Sequence, residues 1–279
     1  MSKISIITIN YNDLKGLKKT FNSIVNQSNK DFEYLVIDGG SSDGSKEFIE
    51  QNSDKLAYWI SEKDSGIYNA MNKGIKAASG EYILFLNSGD FLVDDTIIDR
   101  VLKIIDGKEE IYYGNLFCSQ NGNRISLWSP PDVLSFSYFL DYSLPHPASF
   151  IKRNLFEKYF LYSENLKIIS DWEFFIFCIC KMNVSYKHID LIVSDFDFEG
   201  VSSLKENENK ISSEKEIVIK KHFPLFTEDI KVLVYGNSKR FKQFELLNKN
   251  KFKWNLLKGF MSLLLLFKPV KIKKYISKI

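Results

Sequence analysis

Four short apolar runs alternate with helical patterns in the first ninety residues, and this alternation constrains the fold more than any other feature. The runs are rich in β-branched and aromatic side chains, and the segments between them carry apolar residues at helical spacing. The runs begin at Ile4, Phe32, Leu56 and Tyr82. Strands joined by helices pair in parallel and bury their faces under those helices. The sequence therefore predicts an α/β fold with a mostly parallel sheet flanked by helices.

Small polar residues follow three of these strands, at the points where the strands end. The groups are residues 10–12, 38–43 and 87–90. Each alone is typical of an ordinary turn, because turns use Asn, Asp, Gly and Ser. The carboxyl ends of parallel strands share one edge of the sheet, however, and ligands of open α/β proteins bind there. Three groups together favour a binding site, while the lack of a G-x-G-x-x-G or Walker motif disfavours a dinucleotide or P-loop enzyme.

The pattern changes after residue 107. We expect strands at 110–117 and 124–128, which pair around a turn at Asn121-Gly122. A helix at 171–181 and a further strand at 184–193 follow. The polar composition of residues 200–216 predicts a mobile loop or linker. These features predict three parts: a catalytic domain over 1–200, a linker over 201–216 and a helical, basic extension over 217–279.

The positive charge of the chain is confined to its C-terminal segment. The formal net charge of +3 is the balance of +8 in residues 251–279, which contain eight lysines and no acidic residue, and −5 in the remainder. This distribution argues against nucleic-acid binding by the main domain. Residues 254–267 are mostly apolar but shorter than the roughly 18–20 residues that a spanning helix needs. They suit a helix lying on an anionic lipid surface; a helix docked on the catalytic domain is the alternative.

No segment of the sequence predicts secretion. The N-terminal residues predict a strand and not a signal peptide. They lack the apolar region and the cleavage site that a signal peptide needs. Cys118, Cys178 and Cys180 are not at metal-binding spacing and suit reduced core residues. We therefore expect a cytoplasmic protein that is peripheral on the inner face of the cytoplasmic membrane through residues 251–279.

Five stretches, taken in order, carry a resemblance to a known family. They are SIITINYN, VIDGGSSDGS, DSGIYNAMNKGIKAASGEYILFLNSGD, HPASFIKR and SDWEFF. Over residues 1–200 the chain resembles the family 2 glycosyltransferases of the GT-A fold, most closely the bacterial members that build capsule, lipopolysaccharide O-antigen or exopolysaccharide. The resemblance implies inverting transfer from a nucleotide-sugar, with a UDP-linked sugar as the expected donor, to a saccharide or lipid-linked saccharide acceptor, with Mn²⁺ or Mg²⁺.

The resemblance also implies roles for individual residues. Asp38 matches the residue that contacts the nucleotide base, and Asp171 matches the catalytic base. Asp90 matches the last carboxylate of a D-x-D metal motif that here reads N-S-G-D, so Asp90 is expected to be the sole protein carboxylate on the metal. The further nucleotide-binding candidates are Thr8, Asn10, Tyr11, Asp64, Asn72, Lys73, Asn87 and Ser88. The acceptor-binding candidates are His146 and Trp172.

The chemistry of sugar transfer requires the same parts. A departing nucleoside diphosphate gains negative charge, which a hard cation held by oxygen ligands offsets. A positioned carboxylate takes the proton of the attacking hydroxyl, an effect typically worth ~10²–10⁴ in rate.

Several of these residues also have structural interpretations. Asp43 can cap the helix that begins near Ser45, and Ser170 with Glu173 fits a capping box. A histidine between prolines is more often structural, and Trp172 suits a core. For the whole chain, the shortened N-S-G-D motif supports an alternative, a catalytically weak GT-A protein that binds nucleotide-sugars; Asp171 argues against it. A nucleotidyltransferase would need a triphosphate loop that the sequence lacks.

Overall fold

The computed structural model describes residues 3–198, 205–230 and 239–266, and it contains two compact units, Met1–Pro224 and Leu225–Ile279. A nine-stranded sheet organises the first unit. Its strands are β1 (Ile4–Asn10), β2 (Phe32–Asp38), β3 (Tyr58–Ser61), β4 (Tyr82–Phe85), β5 (Phe91–Leu92), β6 (Ile111–Gln120), β7 (Asn123–Trp128), β8 (Ser149–Lys152) and β9 (Tyr186–Asp197).

The first four strands form the predicted parallel half of the sheet, in the order β3-β2-β1-β4. Every residue of β1 and β4 is buried, as expected for strands covered by helices on both faces. In the register of β1 with β2, Asn10 lies opposite Asp38. Two of the three polar groups therefore meet at one edge of the sheet, as the sequence predicted.

Eight α-helices lie in the described part of this unit. They are α1 (Leu14–Val25), α2 (Ser45–Gln51), α3 (Ile67–Ala77), α4 (Ile97–Ile104), α5 (Phe136–Asp141), α6 (Asn154–Lys158), α7 (Ser170–Ile176) and α8 (Glu208–His222). Asp13 caps α1 by accepting from the Gly16 N–H. Gly74 lets α3 lie close to β1, because a Cβ there would come within 2.6 Å of Ile7 Cγ2.

The second half of the sheet continues in the order β8-β6-β9-β5 and holds all the antiparallel pairings. β6 and β7 form the predicted hairpin. Asn121 and Gly122 both have positive φ at its turn, the backbone that an Asn-Gly hairpin favours. The short strand β5 follows Asp90 directly and pairs with the C-terminal end of β9, which anchors the third polar group.

The predicted linker is wrong over residues 208–216, since these residues belong to α8. Glu214, Val218, Ile219 and His222 are buried along this helix. Its sequence reads as polar because Lys and Glu cover the remaining faces. In the remainder of the predicted linker, residues 205–207 form a 3-10 helix. Residues 201–204 lie outside the described residues.

The described part of the second unit is helical, as predicted. It includes the helices Lys239–Asn248 and Lys251–Leu266. Among the described residues, neither these helices nor any other is long and apolar enough to cross a membrane. Residues 267–279, which carry five of the eight C-terminal lysines, lie outside the described range.

Candidate active site

A cleft of about 2310 Å³ opens at the edge of the sheet where β1 and β2 end. The segment after β4, the start of α7 and the end of β9 also line it. Of the residues that the sequence selected, those lining the cleft are Asn10, Tyr11, Asp64, Asn87, Ser88, Asp90, His146, Asp171 and Trp172.

Asp38 ends β2 and is completely buried. Its carboxylate accepts five hydrogen bonds: from Asn10 Nδ2 at 2.7 Å, from the Ser41 and Ser61 hydroxyls at 2.6 Å each, and from the backbone N–H groups of Ser41 and Gly40 at 2.9 and 3.2 Å. Burial by itself raises the pKa of Asp38, but these donors outweigh it and hold that pKa below its ordinary value. Asp38 therefore shapes the loop after β2, and it does not line the cleft as a base-contacting residue would.

Asp90 is almost as buried, at 3% exposure, but its surroundings differ. Among the described residues its carboxylate accepts one hydrogen bond of ordinary geometry, from the Asp197 N–H at 3.0 Å, and the backbone N–H of Asn87 contributes more weakly. Burial raises the pKa of Asp90 to about 7; the charge of His146 lowers it and that of Asp197 raises it. This buried carboxylate lacks the donors that stabilise an ionised group, which makes it a fitting ligand for a cation.

The donor set at Asp90 fits Mg²⁺ or Mn²⁺ held jointly with a substrate. No cluster of three or more metal-binding side chains exists within residues 3–198, 205–230 and 239–266. Asp197 nevertheless lies beside Asp90 and lines the same cleft. Magnesium commonly binds one or two carboxylates and takes its other ligands from phosphates and water. The expectation of a sole nearby carboxylate is thus modified by Asp197, a residue that the sequence did not select.

Asp171 lies in the first turn of α7, with 18% of its side chain exposed. Its Oδ1 accepts a hydrogen bond from the Tyr68 hydroxyl at 2.9 Å. Its Oδ2 lies 3.6 Å from Nδ1 of His146. Nε2 of His146 lies 3.1 Å from Nδ2 of Asn87. A continuous chain of polar side chains therefore leads from Asp171 to the segment that carries Asp90.

Three predicted nucleotide-binding residues point away from the cleft. Thr8 is buried and donates to the Leu86 carbonyl at 2.8 Å. Asn72 joins α3 to the segment before α7, through the Tyr162 carbonyl and N–H at 2.9 and 3.0 Å. Lys73 forms an ion pair with Glu62 at 2.7 Å. Thr8, Asn72 and Lys73 are absent from the lining of the cleft and bond to other protein groups, and their nucleotide binding stays a prediction.

Other predicted nucleotide-binding residues do reach the cleft. Asn10 connects two of the polar groups, since its Nδ2 donates to Asp38 and its Oδ1 accepts from Ser88 Oγ at 2.8 Å. Tyr11 is 66% exposed. Tyr11 and Asp64 both crowd the Gly39 backbone, where a Cβ would lie 2.6 Å from Asp64 Oδ2 and 3.1 Å from Tyr11 Cδ2. A side chain at position 39 would intrude on this corner.

The capping box at the start of α7 is wrong. Ser170 is the first residue of the helix rather than its cap, and its hydroxyl accepts from the Ser163 N–H. Glu173 is buried and bonds to Nε2 of His222 at 2.8 Å, which ties α7 to α8. Glu214 of α8 accepts from the Lys167 N–H at 2.8 Å, just before α7. Helix α8 thus fixes the element that carries Asp171.

Trp172 is a core residue with only 2% exposure. Its indole N–H donates to the Phe139 carbonyl at 2.7 Å, so this polar group is already used. Little of the Trp172 surface is open to an acceptor, and the structural interpretation is the better one.

Asp43 bonds to the backbone at the starts of two helices. Its carboxylate accepts from the N–H groups of Ser45 in α2 and Leu14 in α1, at 3.1 and 2.7 Å, although Gly44 occupies the cap position of α2.

Sequence reasoning missed Tyr68 and Asp197. Tyr68 stands inside the long stretch that carries the family resemblance, four residues before Asn72, and looked like one apolar position of an amphipathic helix. Asp197 is 107 residues from Asp90 and lies at the end of β9. The only sequence signal for it is that it follows a strand, which it shares with many turn residues.

Comparison with known proteins identifies relatives over most of the chain. A family model described as Glycosyl transferase family 2 matches residues 5–169. An uncharacterized glycosyltransferase of Mycobacterium tuberculosis (strain ATCC 25618 / H37Rv) is 32% identical over 208 residues, which are 73% of this chain and 78% of the relative. A PGL/p-HBAD biosynthesis glycosyltransferase of Mycobacterium bovis (strain BCG / Pasteur 1173P2) is 28% identical over 205 residues, 71% of this chain and 78% of that one.

Solved structures share the fold at low sequence identity. S. aureus TarS 1-349 in complex with UDP-GlcNAc superposes with a TM-score of 0.62 at 20% identity, covering 79% of this chain and 67% of that chain. The mannosyltransferase PcManGT from Pyrobaculum calidifontis, in complex with GDP-Man and Mn2+, gives a TM-score of 0.53 at 13% identity, covering 99% of this chain and 79% of the other.

Proposed function

Because this chain belongs to glycosyl transferase family 2 and has the GT-A fold, we propose that it transfers a sugar, with inversion, from a UDP-sugar to a saccharide or lipid-linked saccharide in cell-surface polysaccharide biosynthesis. The predicted family and fold class are confirmed. The donor, the metal, the acceptor and the roles of individual residues belong to the proposal.

One observation carries the proposal: a single cleft holds a buried, poorly bonded Asp90 and a partly exposed Asp171. His146 and Asn87 lie between them. Sugar transfer needs two such groups, one to hold the diphosphate end of the donor and one to receive a proton from the acceptor.

The donor half of the site lies between the end of β1 and α3. Tyr11 offers an exposed aromatic face there, and the Asp64 carboxylate stands beside the Gly39 backbone. An ionised carboxylate only accepts hydrogen bonds, so Asp64 suits the imino N–H of uracil better than the fully bonded Asp38 does. The UDP-GlcNAc complex of the TarS structure is consistent with a uridine donor.

Asp90, with Asp197 beside it, would hold Mn²⁺ or Mg²⁺. When bound, this cation offsets the negative charge that grows on the departing diphosphate. The burial of Asp90 favours cation binding as well. Ionising a buried carboxylate is unfavourable without a nearby positive charge, so a bound cation stabilises it strongly.

Asp171 would accept the proton of the acceptor hydroxyl as that oxygen bonds to the anomeric carbon. The bond from this carbon to the diphosphate oxygen breaks on the opposite face, and the nucleotide leaves as the diphosphate. A single displacement of this kind inverts the anomeric configuration. Asp171 keeps part of its side chain open to the cleft, as a proton acceptor must.

A membrane-surface role is proposed for the helix Lys251–Leu266. Phe252, Leu256, Phe260 and Leu263 are 52–73% exposed and recur three or four residues apart, so they share one face. Lysines lie within and around this helix, and each lysine near an anionic surface adds roughly 1 kcal/mol to binding. Such a helix would hold the enzyme near a lipid-linked acceptor.

Flotation with vesicles tests the membrane role. The full chain should float with vesicles containing anionic lipid and stay behind with neutral ones, and Leu256→Ser with Phe260→Ser should abolish flotation. Leu246→Ser, an equally exposed leucine on the helix Lys239–Asn248, is the matched control. Equal flotation of all three proteins would refute the role.

Replacement of Asp171 tests the proposed catalysis. Asp171→Asn keeps the size of the side chain but cannot take the proton, so release of UDP from a UDP-sugar should fall at least about a hundredfold. Asp99→Asn, an exposed carboxylate on α4 outside the cleft, should behave like the parent. Near-parent release by Asp171→Asn, or a product that keeps the donor's anomeric configuration, would contradict the mechanism. Donor binding without turnover by the parent would support the alternative of a nucleotide-sugar-binding protein.

A further inference from the structure

The contact between Tyr68 and Asp171 joins two parts of the chain that are 103 residues apart. Tyr68 lies in the first turn of α3 and is 5% exposed. Close packing at Gly74 sets α3 against β1, and Asn72 ties α3 to the Tyr162 backbone, eight residues before the start of α7. The Tyr68 hydroxyl therefore stands on a firmly held element, at 2.9 Å from Oδ1 of Asp171.

Tyr68 acts in this contact as a hydrogen-bond donor. Burial, and next the negative charge of Asp171, hold the pKa of Tyr68 well above its ordinary value. The phenol thus keeps its proton at neutral pH. A neutral donor that bonds to one oxygen of a carboxylate fixes the orientation of that carboxylate.

The two oxygens of Asp171 are consequently unequal. Oδ1 is occupied by Tyr68, whereas Oδ2 lies 3.6 Å from His146 Nδ1, beyond ordinary hydrogen-bond length. Asp171 borders the cleft, so an acceptor hydroxyl would reach Oδ2 more readily than the occupied Oδ1. Resting on the proposed function of this site, we infer that Tyr68 is a positioning residue that directs Oδ2 of Asp171 toward the acceptor.

The chain offers a matched control for this inference. Tyr162 belongs to the same aromatic cluster, with its ring centroid 5.6 Å from that of Tyr68. Its hydroxyl is buried and has no hydrogen-bond partner within the described part of the chain. Tyr68→Phe and Tyr162→Phe therefore remove the same atom from the same cluster, but only Tyr68→Phe removes a bond to Asp171.

The first measurement is hydrolysis, in which water replaces the acceptor. The parent, Tyr68→Phe, Tyr162→Phe and Asp171→Asn are assayed with Mn²⁺ and a panel of UDP-glucose, UDP-galactose, UDP-GlcNAc and UDP-GalNAc. Tyr68→Phe should lower kcat about fivefold or more and leave KM within about twofold, because the lost hydrogen bond orients the base without binding the donor. Tyr162→Phe should match the parent in both kcat and KM.

The second measurement does not depend on turnover. The side-chain carboxyl ¹³C resonance of Asp171 is recorded by NMR at neutral pH in the parent and the two phenylalanine variants, and Asp171→Asn assigns it. Its chemical shift should change in Tyr68→Phe, which removes the hydrogen bond to Oδ1, and stay at the parent value in Tyr162→Phe. The same kcat and the same Asp171 chemical shift in Tyr68→Phe as in Tyr162→Phe would overturn the inference. Undiminished hydrolysis by Asp171→Asn, or none by the parent, would instead count against the proposed function.

Discussion

Asp38 and Asp90 are both buried carboxylates at the same edge of the sheet, yet their hydrogen bonding is opposite. Asp38 accepts five hydrogen bonds, and Asp90 accepts one within the described residues. Their pKa values diverge accordingly: donors hold that of Asp38 below its ordinary value despite burial, while burial raises that of Asp90 to about 7.

The difference teaches how to separate a structural carboxylate from a ligand-binding one. A carboxylate whose lone pairs are filled by the protein stabilises the loop around it. A buried carboxylate that is left with one donor is unfavourable in the empty protein, and a cation or another positive group relieves that cost. By this criterion Asp38 stabilises the loop after β2, and Asp90 is the carboxylate proposed to bind the cation.

The largest expected effect on stability is at Asp38. Asp38→Ala leaves three polar side chains and two backbone N–H groups without their acceptor, so the free energy of unfolding should fall by about 3 kcal/mol. Urea denaturation measures this loss. Asp43→Ala, which removes an exposed carboxylate with two backbone donors, should cost much less. Equal losses of stability in the two variants would show that the hydrogen bonds to Asp38 do not stabilise the loop more than those to Asp43.

The next effect concerns pH and has opposite signs at the two residues. Asp90 has a folded pKa of about 7 against an ordinary 3.8, so its contribution favours folding below pH 4 and is lost as the pH rises toward 7. In chelator, Asp90→Asn should therefore gain about 2–3 kcal/mol relative to the parent between pH 5 and pH 8.

The lowered pKa of Asp38 gives the reverse dependence. Its contribution is present above pH 4 and is lost only as the pH falls through the lower folded value, so no such gain is expected between pH 5 and pH 8 for Asp38→Asn. Denaturation curves at several pH values check both residues. A relative stability of Asp90→Asn that does not change with pH would show that burial does not raise the pKa of Asp90.

The smallest expected change in stability is at Ser61, one of the donors to Asp38. Ser61 donates one of its five hydrogen bonds, at 2.6 Å, from the end of β3. Ser61→Ala should cost about 1 kcal/mol, the usual net value of one hydrogen bond, and the pH dependence should otherwise be that of the parent. A loss as large as that of Asp38→Ala would mean that a single donor, rather than the full set, holds the loop.

The edge of the sheet could be predicted because its signals are local. Apolar runs, helical spacing and turn residues lie next to each other in the sequence, and they placed Asn10, Asp38 and the segment before Asp90 correctly. The Asn-Gly hairpin turn was predictable for the same reason.

What the sequence could not reveal is which polar groups the protein itself satisfies. Thr8 and Asn72 carry the same functional groups whether their partner is a nucleotide or a carbonyl 78 or 90 residues away. The same limit applies to Glu173, whose partner His222 belongs to a helix that reads as a polar linker. Hydrogen bonding to distant residues decides these roles, and it becomes visible only once the chain is folded.

We propose that Asp90 is a metal ligand and that Asp38 is not. Titration calorimetry of UDP binding is the most direct test of this difference. UDP is titrated into the parent and Asp90→Asn, each with Mn²⁺ and with chelator. We expect Mn²⁺ to tighten UDP binding at least about tenfold in the parent and to have no effect in Asp90→Asn, while both bind the same weakly in chelator. The same tightening by Mn²⁺ in both proteins, or none in the parent, would contradict the account.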